Sequence, residues 1–171
     1  MAAAGPTVAT FVTAWVAYRV YSQGEKAQRL LTRPRLGFTH SVKPTPVPNA
    51  WLWGLSFRNN GQSTAEIIRV IVLVDGTPVD WQPLEQPAQY WTRILAAIGL
   101  TPGADFLGWQ LVLPESLGGG SEMGLGTGTV TGTRQAANAV FTRIEVRITY
   151  KSVFGDTWTE SSRTGEVAAD N

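Results

Sequence analysis

The spacing of apolar residues changes twice along this chain, and each change marks a different kind of element. The first stretch reads Pro6-Thr-Val-Ala-Thr-Phe-Val-Thr-Ala-Trp-Val-Ala-Tyr-Arg-Val-Tyr21, with no charged side chain before Arg19. Pro6 suits the first turn of a helix. A helix over Met1–Tyr18 extends about 27 Å at about 1.5 Å per residue, close to the hydrocarbon thickness of a bilayer. A basic collar then arrives: Arg19, Lys26, Arg29, Arg33 and Arg35, against the single acid Glu25. An uncharged run followed by such a collar predicts one transmembrane helix, with its N-terminus periplasmic and its basic side cytoplasmic. Trp15, Tyr18, Arg19, Tyr21, Lys26, Arg29, Arg33 and Arg35 are the expected membrane-interface residues. Thr10, Ala14 and Ala17 fall at i, i+4 and i+7 and form the expected packing face of the span. Ala and Thr are weakly apolar, so a helix lying on a surface or packed on other protein competes with the span. The helical pattern runs on to Leu31 and must stop near Arg33, because Pro34 disfavours helix before it.

After a Pro-rich linker the period becomes two. Trp51, Trp53, Leu55 and Phe57 alternate with Leu52, Gly54, Ser56 and Arg58, the signature of a strand with one apolar face. Asn59-Asn60-Gly61 is a turn signal. Ala65 to Val74 carries Ile68, Val70, Val72 and Val74 on one face and Ile67, Ile71 and Leu73 on the other, as in a strand covered on both sides. Asp75-Gly76 closes it in a tight turn. The period returns to helical over Pro87 to Ile98, where Tyr90, Trp91, Ile94, Leu95 and Ile98 make one stripe between Pro87 and Gly99. A third strand is expected from Phe106 to Leu113. Residues 118–132 hold seven glycines and read as a flexible loop or ragged hairpin. The last strands are Val140 to Tyr150 and Thr157 to Ser161. In the first of them Arg143, Glu145 and Arg147 face away from the core.

These elements predict a mainly β chain: an antiparallel, immunoglobulin-like β-sandwich with one inserted helix, preceded by a single N-terminal transmembrane helix. The expected organisation is a span and juxtamembrane helix over 1–33, a linker over 34–50, the sandwich over 51–161 and a polar tail over 162–171.

Charge sharpens the picture. Residues 1–60 carry seven Lys/Arg and one acid, whereas residues 61–171 carry seven Lys/Arg and twelve acids. The basic neck suits anionic lipid headgroups. The acidic remainder argues against nucleic acid as a partner. No cysteine is present, which excludes a disulfide framework and thiolate chemistry.

The order of motifs carries a resemblance. A short apolar N-terminal stretch is followed by Arg33-Pro34-Arg35-Leu36. Phe57-Arg58-Asn59-Asn60-Gly61 comes next, and then Ile68-Arg-Val-Ile-Val-Leu-Val-Asp75-Gly76. Ile148-Thr-Tyr150-Lys-Ser152-Val-Phe-Gly155-Asp-Thr-Trp158 closes the domain. This order resembles small bacterial single-pass membrane proteins of uncharacterised function with an N-terminal span and an immunoglobulin-like β domain. The resemblance implies architecture and an inner-membrane location. It brings no catalytic residues.

No constellation for chemistry stands out, and the chain is expected not to be an enzyme. His40 is the sole histidine, placed in the basic neck, and one histidine without cysteine does not build the usual zinc sites. Gly124-Leu-Gly126-Thr-Gly128 suggests a phosphate loop, but Thr129 stands where the third glycine belongs and no helix pattern follows. Asp75, Asp80, Glu85, Asp105, Glu115 and Glu122 fall mainly in turns and loops. No catalytic residue, metal ligand or cofactor is therefore expected. The seven tryptophans exceed what a sandwich core of this size needs. Trp81 and Trp91, flanking Gln82-Pro-Leu-Glu-Gln-Pro87, are the candidate protein-docking residues.

The expected function is a non-catalytic, membrane-anchored accessory or scaffold subunit of a larger bacterial membrane complex, photosynthetic and respiratory assemblies being plausible hosts. Its partners would be other membrane protein subunits and the bilayer. The alternatives are a ligand- or glycan-binding sandwich module, with the loop 114–136 as the capturing element, and a structural protein of a phage virion.

Overall fold

A computed structural model describes residues 5–82, 84–109, 113–163 and 167–169. The chain divides into two compact units, residues 1–33 and 34–171, and each is described by itself.

The first unit is a single helix, α1 (Gly5–Leu31), of 27 residues. It ends where Thr32 returns both its amide and its hydroxyl to the Gln28 carbonyl, at 2.9 and 2.8 Å, just before Pro34. The helix confirms the periodicity but not the span. Among the described residues no helix is long and apolar enough to cross a membrane. The expected transmembrane helix is therefore corrected to a helix without a span. Thr7, Thr10, Thr13 and the three alanines Ala9, Ala14 and Ala17 dilute the valines and aromatics, and Arg19 cuts the uncharged run short.

The second unit is a sandwich-like fold of two antiparallel sheets. Its elements in chain order are β1 (Leu36–Pro44), β2 (Ala50–Asn59), β3 (Ala65–Val74), β4 (Thr77–Pro78) and α2 (Pro87–Ala97). Then follow β5 (Thr101–Pro102), β6 (Leu107–Gly108), β7 (Glu115–Leu117), β8 (Glu122–Thr131) and α3 (Arg134–Arg143). The last are β9 (Ile144–Lys151), β10 (Thr157–Ser161) and β11 (Val167–Ala169). One sheet runs β1-β2-β8, with β5 and β6 both pairing the far side of β8. The other runs β11-β10-β9-β3, with β4 and β7 pairing opposite ends of the outer edge of β3.

The inward faces follow the alternation where the strands are regular. On β2, Trp53, Leu55 and Phe57 are buried while Leu52 and Arg58 are exposed. On β3 the register shifts between Ile67 and Arg69. This bulge inserts one residue, so Ala65 and Ile67 before it share the inner side with Val70, Val72 and Val74 after it. Strict alternation therefore misassigns the first half of that strand.

Five further expectations are corrected. The linker 34–50 contains β1, which pairs with β2 along its whole length. Residues 118–132, expected as a flexible loop or ragged hairpin, are a turn only over 118–121, and Glu122–Thr131 form β8, a central strand of their sheet. The sandwich holds two helices rather than one. Thr133 caps α3 by accepting from the Ala136 amide at 3.1 Å, and Ala137 and Val140 bury one face, so Val140 is helical and β9 begins only at Ile144. The expected polar tail contributes β11, paired antiparallel to β10, while residues 164–166, 170 and 171 lie outside the described set. Among the described residues of the expected third strand, Leu107–Gly108 pair with β8; residues 110–112 lie outside the described set.

Several polar groups inside the sandwich are paired with one another. Tyr150 is fully buried and donates to the Glu160 carboxylate at 2.8 Å. Glu145, expected to face solvent, is buried, and accepts from Arg147 at 2.6 Å and Ser161 at 2.9 Å. The Arg147 guanidinium, with help from Ser161, holds its carboxyl below the ordinary range.

Candidate functional site

Two features combine exposure or open space with apolar chemistry: a cavity in the sandwich and the surface of α1.

The cavity has a volume of about 180 Å³. Val70 and Val72 of β3 bound it on one side and Leu125 of β8 on the other. The helix α2 supplies Tyr90 and Trp91, and the connection before it supplies Trp81. Trp109 and Leu113 complete the lining; they are 42% and 39% exposed and so form its rim.

Local sequence explains why these rings meet. Pro87 starts α2, Gln86 and Gln89 close a capping box, and Gly99 at φ +84° takes the left-handed position after the Ile98 cap. Helical spacing then buries Tyr90, Trp91, Ile94 and Leu95 on one face. Trp91 packs on Trp53 of β2 with ring centroids 5.5 Å apart, and Trp53 stacks on Phe106 at 5.6 Å. Trp81 lies on Tyr90 at 4.4 Å.

The connection before α2 is clamped to it. Arg93 donates to both Glu85 oxygens at 2.7 and 2.8 Å and to the Asp80 carbonyl at 2.9 Å. The Arg93 guanidinium holds the Glu85 carboxyl below its ordinary range. Trp81 Nε1 donates to the Glu85 carbonyl at 3.1 Å, and Tyr90 Oη donates to the Val79 carbonyl at 2.9 Å. Burial pushes the Tyr90 phenol up to about 12, so it stays a neutral donor. Trp91 is 1% exposed, and among the described residues its indole Nε1–H, like that of the buried Trp53, has no acceptor.

The glycines of β8 make the room these rings occupy. A Cβ on Gly126 would lie 2.8 Å from the Trp53 ring, and one on Gly124 would lie 3.2 Å from the Trp109 ring. At Gly128, with φ +143°, it would lie 2.5 Å from the Phe106 Cα. The repeat that suggested a phosphate loop is a strand thinned to fit tryptophan.

On α1 the apolar surface is uncovered. Phe11 is 73%, Trp15 58%, Tyr18 69% and Tyr21 71% exposed. Val12, Val16 and Val20, one turn apart, line an open groove with Thr13, Ala17 and Tyr21. Of the expected packing face, Ala14 and Ala17 are exposed and the Thr10 side chain lies outside the described set. Among the expected interface residues, Arg19 lies over the Trp15 ring at 4.7 Å, and Arg29 pairs with Glu25 at 2.7 Å, one turn back. Lys26 is exposed, and Arg33 and Arg35 follow the helix.

Trp81 and Trp91 do converge, on the cavity wall. Trp91 is a core residue and presents no outward surface. The partners of this site that sequence reasoning missed are Tyr90, Trp109 and Leu125. The Tyr90-Trp91 doublet on the stripe and the surplus of tryptophan were the available signals.

His40 is not in an exposed neck. It sits on β1 opposite Leu55, packs on the Phe141 ring at 5.6 Å, and its Nε2 is buried without a partner among the described residues. Among the described residues no group of three His, Cys, Asp or Glu side chains is placed to hold a metal. The carboxylates meet other groups instead. Asp75 takes a bidentate contact from Arg143 at 2.9 and 2.5 Å, Asp105 accepts from the Thr129 amide and hydroxyl at 3.1 and 2.8 Å, and Glu122 accepts from Ser56.

Residues 1–165 match the model of a protein family described as a domain of unknown function, DUF8453. No curated protein matches the chain.

Proposed function

We propose, for a chain that belongs to the DUF8453 family, a non-catalytic role as an accessory subunit of a larger bacterial assembly, docked through α1 onto helices of a partner protein. The observation that carries this reading is the exposure of Phe11, Trp15, Tyr18 and Tyr21 on one helix. Apolar surface of that extent marks a contact made with something else. Protein is favoured over lipid by composition. Thr13, Ala14 and Ala17 are small and lie beside Val12, Val16 and Val20, an arrangement that lets another helix approach closely. The non-catalytic part is supported by the carboxylates, which are spent on Arg93, Arg143, Arg147 and Thr129 instead of facing one another across a cleft.

The test is native co-purification with mass spectrometry, comparing the wild-type chain with a Val12→Asp, Val16→Asp double variant. A partner enriched by the wild type and lost by the variant is the expected result. A wild-type chain that runs as a monomer and enriches nothing reproducible overturns the reading. Equal loss of binding to protein-free vesicles of anionic lipid by the variant would move α1 to a lipid surface instead. The identity of the enriched partner decides between a membrane complex and a virion as host.

A further inference from the structure

We propose that Leu84 is an anchor through which two copies of the chain pair, each leucine entering the other copy's cavity beneath α2. This goes beyond the docking role, because α1 takes no part in it.

Leu84 is placed against two ordinary preferences at once. Its backbone lies in the left-handed region at φ +65°, where the other described non-glycine residues are Asn49 and Asp75. Asparagine and aspartate are enriched there because their short side chains hydrogen-bond locally, whereas leucine meets only the steric cost. The Leu84 side chain is also fully exposed. The Glu85 amide donates to the Gln82 carbonyl at 3.1 Å, so Leu84 is the third residue of a four-residue turn. Turns with positive φ at that position take glycine or asparagine. The conformation is held by its surroundings: the Gln82 amide, the Arg93 guanidinium and the Trp81 indole all fix Glu85, the next residue. Backbone strain that the surroundings over-determine points to a use for it. Here it presents an apolar knob to solvent.

A hole of matching size lies beside the knob. Apolar cavities of about 150 Å³ admit benzene, and the four carbons of a leucine side chain need less room. The cavity beneath α2 has about 180 Å³, an open rim and no charged residue in its described lining. Its wall residue Trp81 donates to the Glu85 carbonyl, one position past Leu84. Its rim residue Trp109 follows Gly108, where a Cβ would lie 3.0 Å from the Pro87 carbonyl, three positions past Leu84. Knob and hole therefore share the N-terminal end of α2, and exposed Leu84 leaves the hole of its own copy empty. A surface carrying both side by side is self-complementary about a two-fold axis. The hole offers Trp81, Tyr90 and Trp109, residue types enriched at interface hot spots, to an aliphatic anchor. The Glu85–Arg93 pair beside the knob is satisfied within its own copy, so covering it strands no charge.

The test is sedimentation velocity of the full-length chain over a concentration series, in the Val12→Asp, Val16→Asp background so that α1 does not contribute. A monomer–dimer equilibrium is the expected result. Leu84→Asp and Leu84→Gly should each weaken it by about thirtyfold or more. In dilute, monomeric protein Leu84→Gly should keep or raise the melting temperature, because glycine carries no strain at positive φ. Isotope-filtered NOE spectra of mixed labelled and unlabelled chains should connect the Leu84 methyls to the Trp81 and Trp109 rings of the other copy. A chain that stays monomeric up to about 1 mM, a dimer unchanged by Leu84→Gly, or contacts between copies that avoid the cavity would each overturn the proposal. None of these outcomes bears on whether α1 docks to a partner protein.

Discussion

Asn59 Nδ2 donates to the Leu117 carbonyl at 3.0 Å, tying the last residue of β2 in one sheet to the last residue of β7 in the other. The same side chain donates to the Ser63 carbonyl at 2.7 Å and accepts from the amides of Gly61 at 3.0 Å and Arg35 at 3.2 Å. Asn59 is fully buried, so each bond is made where water is not available to replace it.

Asn59→Ala should therefore cost about 2–4 kcal/mol, from stranding several buried backbone groups at once. Asn59→Asp should cost at least as much, because an acceptor would replace the donor that faces two carbonyls. Urea denaturation followed by tryptophan fluorescence measures both. A loss under about 1 kcal/mol for Asn59→Ala would show that the link between the sheets does not depend on this side chain.

Gly128→Ala should destabilise by about 2–4 kcal/mol, because strain at positive φ adds to a backbone collision. Its new Cβ would meet the Phe106 Cα at 2.5 Å, in a backbone conformation at φ +143° that L side chains rarely adopt. Gly24→Ala is the control: nothing lies within 4 Å of a Cβ there, and the residue is helical. It should raise helicity or leave it unchanged. Equal thermal shifts for the two would contradict the close approach across β8.

Acid should weaken the fold in two separate windows. Burial lowers the His40 pKa from its ordinary 6.5, so the folded state favours the neutral ring. The associated stability is complete above about 6.5 and is lost as pH falls through that value toward the depressed one. Asp75, Glu85, Asp105 and Glu145 are also depressed, from ordinary values of 3.8 or 4.5, so their contribution is lost only at lower pH. Denaturant midpoints measured from pH 7.5 to 5 should fall for the wild type and stay flat for His40→Gln. Parallel curves would assign the loss to other groups.

Thr133→Ala should cost about 1 kcal/mol through the lost cap on the Ala136 amide, and Thr133→Ser should restore most of it. Thermal melts of the three proteins check this. No difference between alanine and serine would mean that α3 is held by the burial of Ala137 and Val140 alone.

Periodicity made β2, the second half of β3 and α2 legible, because each has one face buried against the core. It failed where a local event reset the phase. The bulge at Ile68 turned one continuous alternation into two half-strands on the same face, and the Thr133 cap diverted Val140 into a helix. It failed again on β8, where glycine is selected by neighbouring rings instead of by a turn. The charge step at Arg19 was read as the foot of a span. It marks only where the uncharged part of α1 ends, since Ala and Thr fill much of that part. The cavity lies among residues far apart in sequence, from Val70 to Leu125, and no spacing rule brings these together.

The fit between β2 and β8 also constrains how sequences in this family are free to drift. The bulk of Trp53 is matched by the missing side chain of Gly126, and that of Trp109 by Gly124. A methyl at Gly126 would collide with the buried Trp53 ring and call for a smaller residue there, whereas one at Gly124 would ask the exposed Trp109 ring to shift by only a few tenths of an ångström. The glycine repeat of β8 is thus the imprint of aromatic residues that lie elsewhere in the chain.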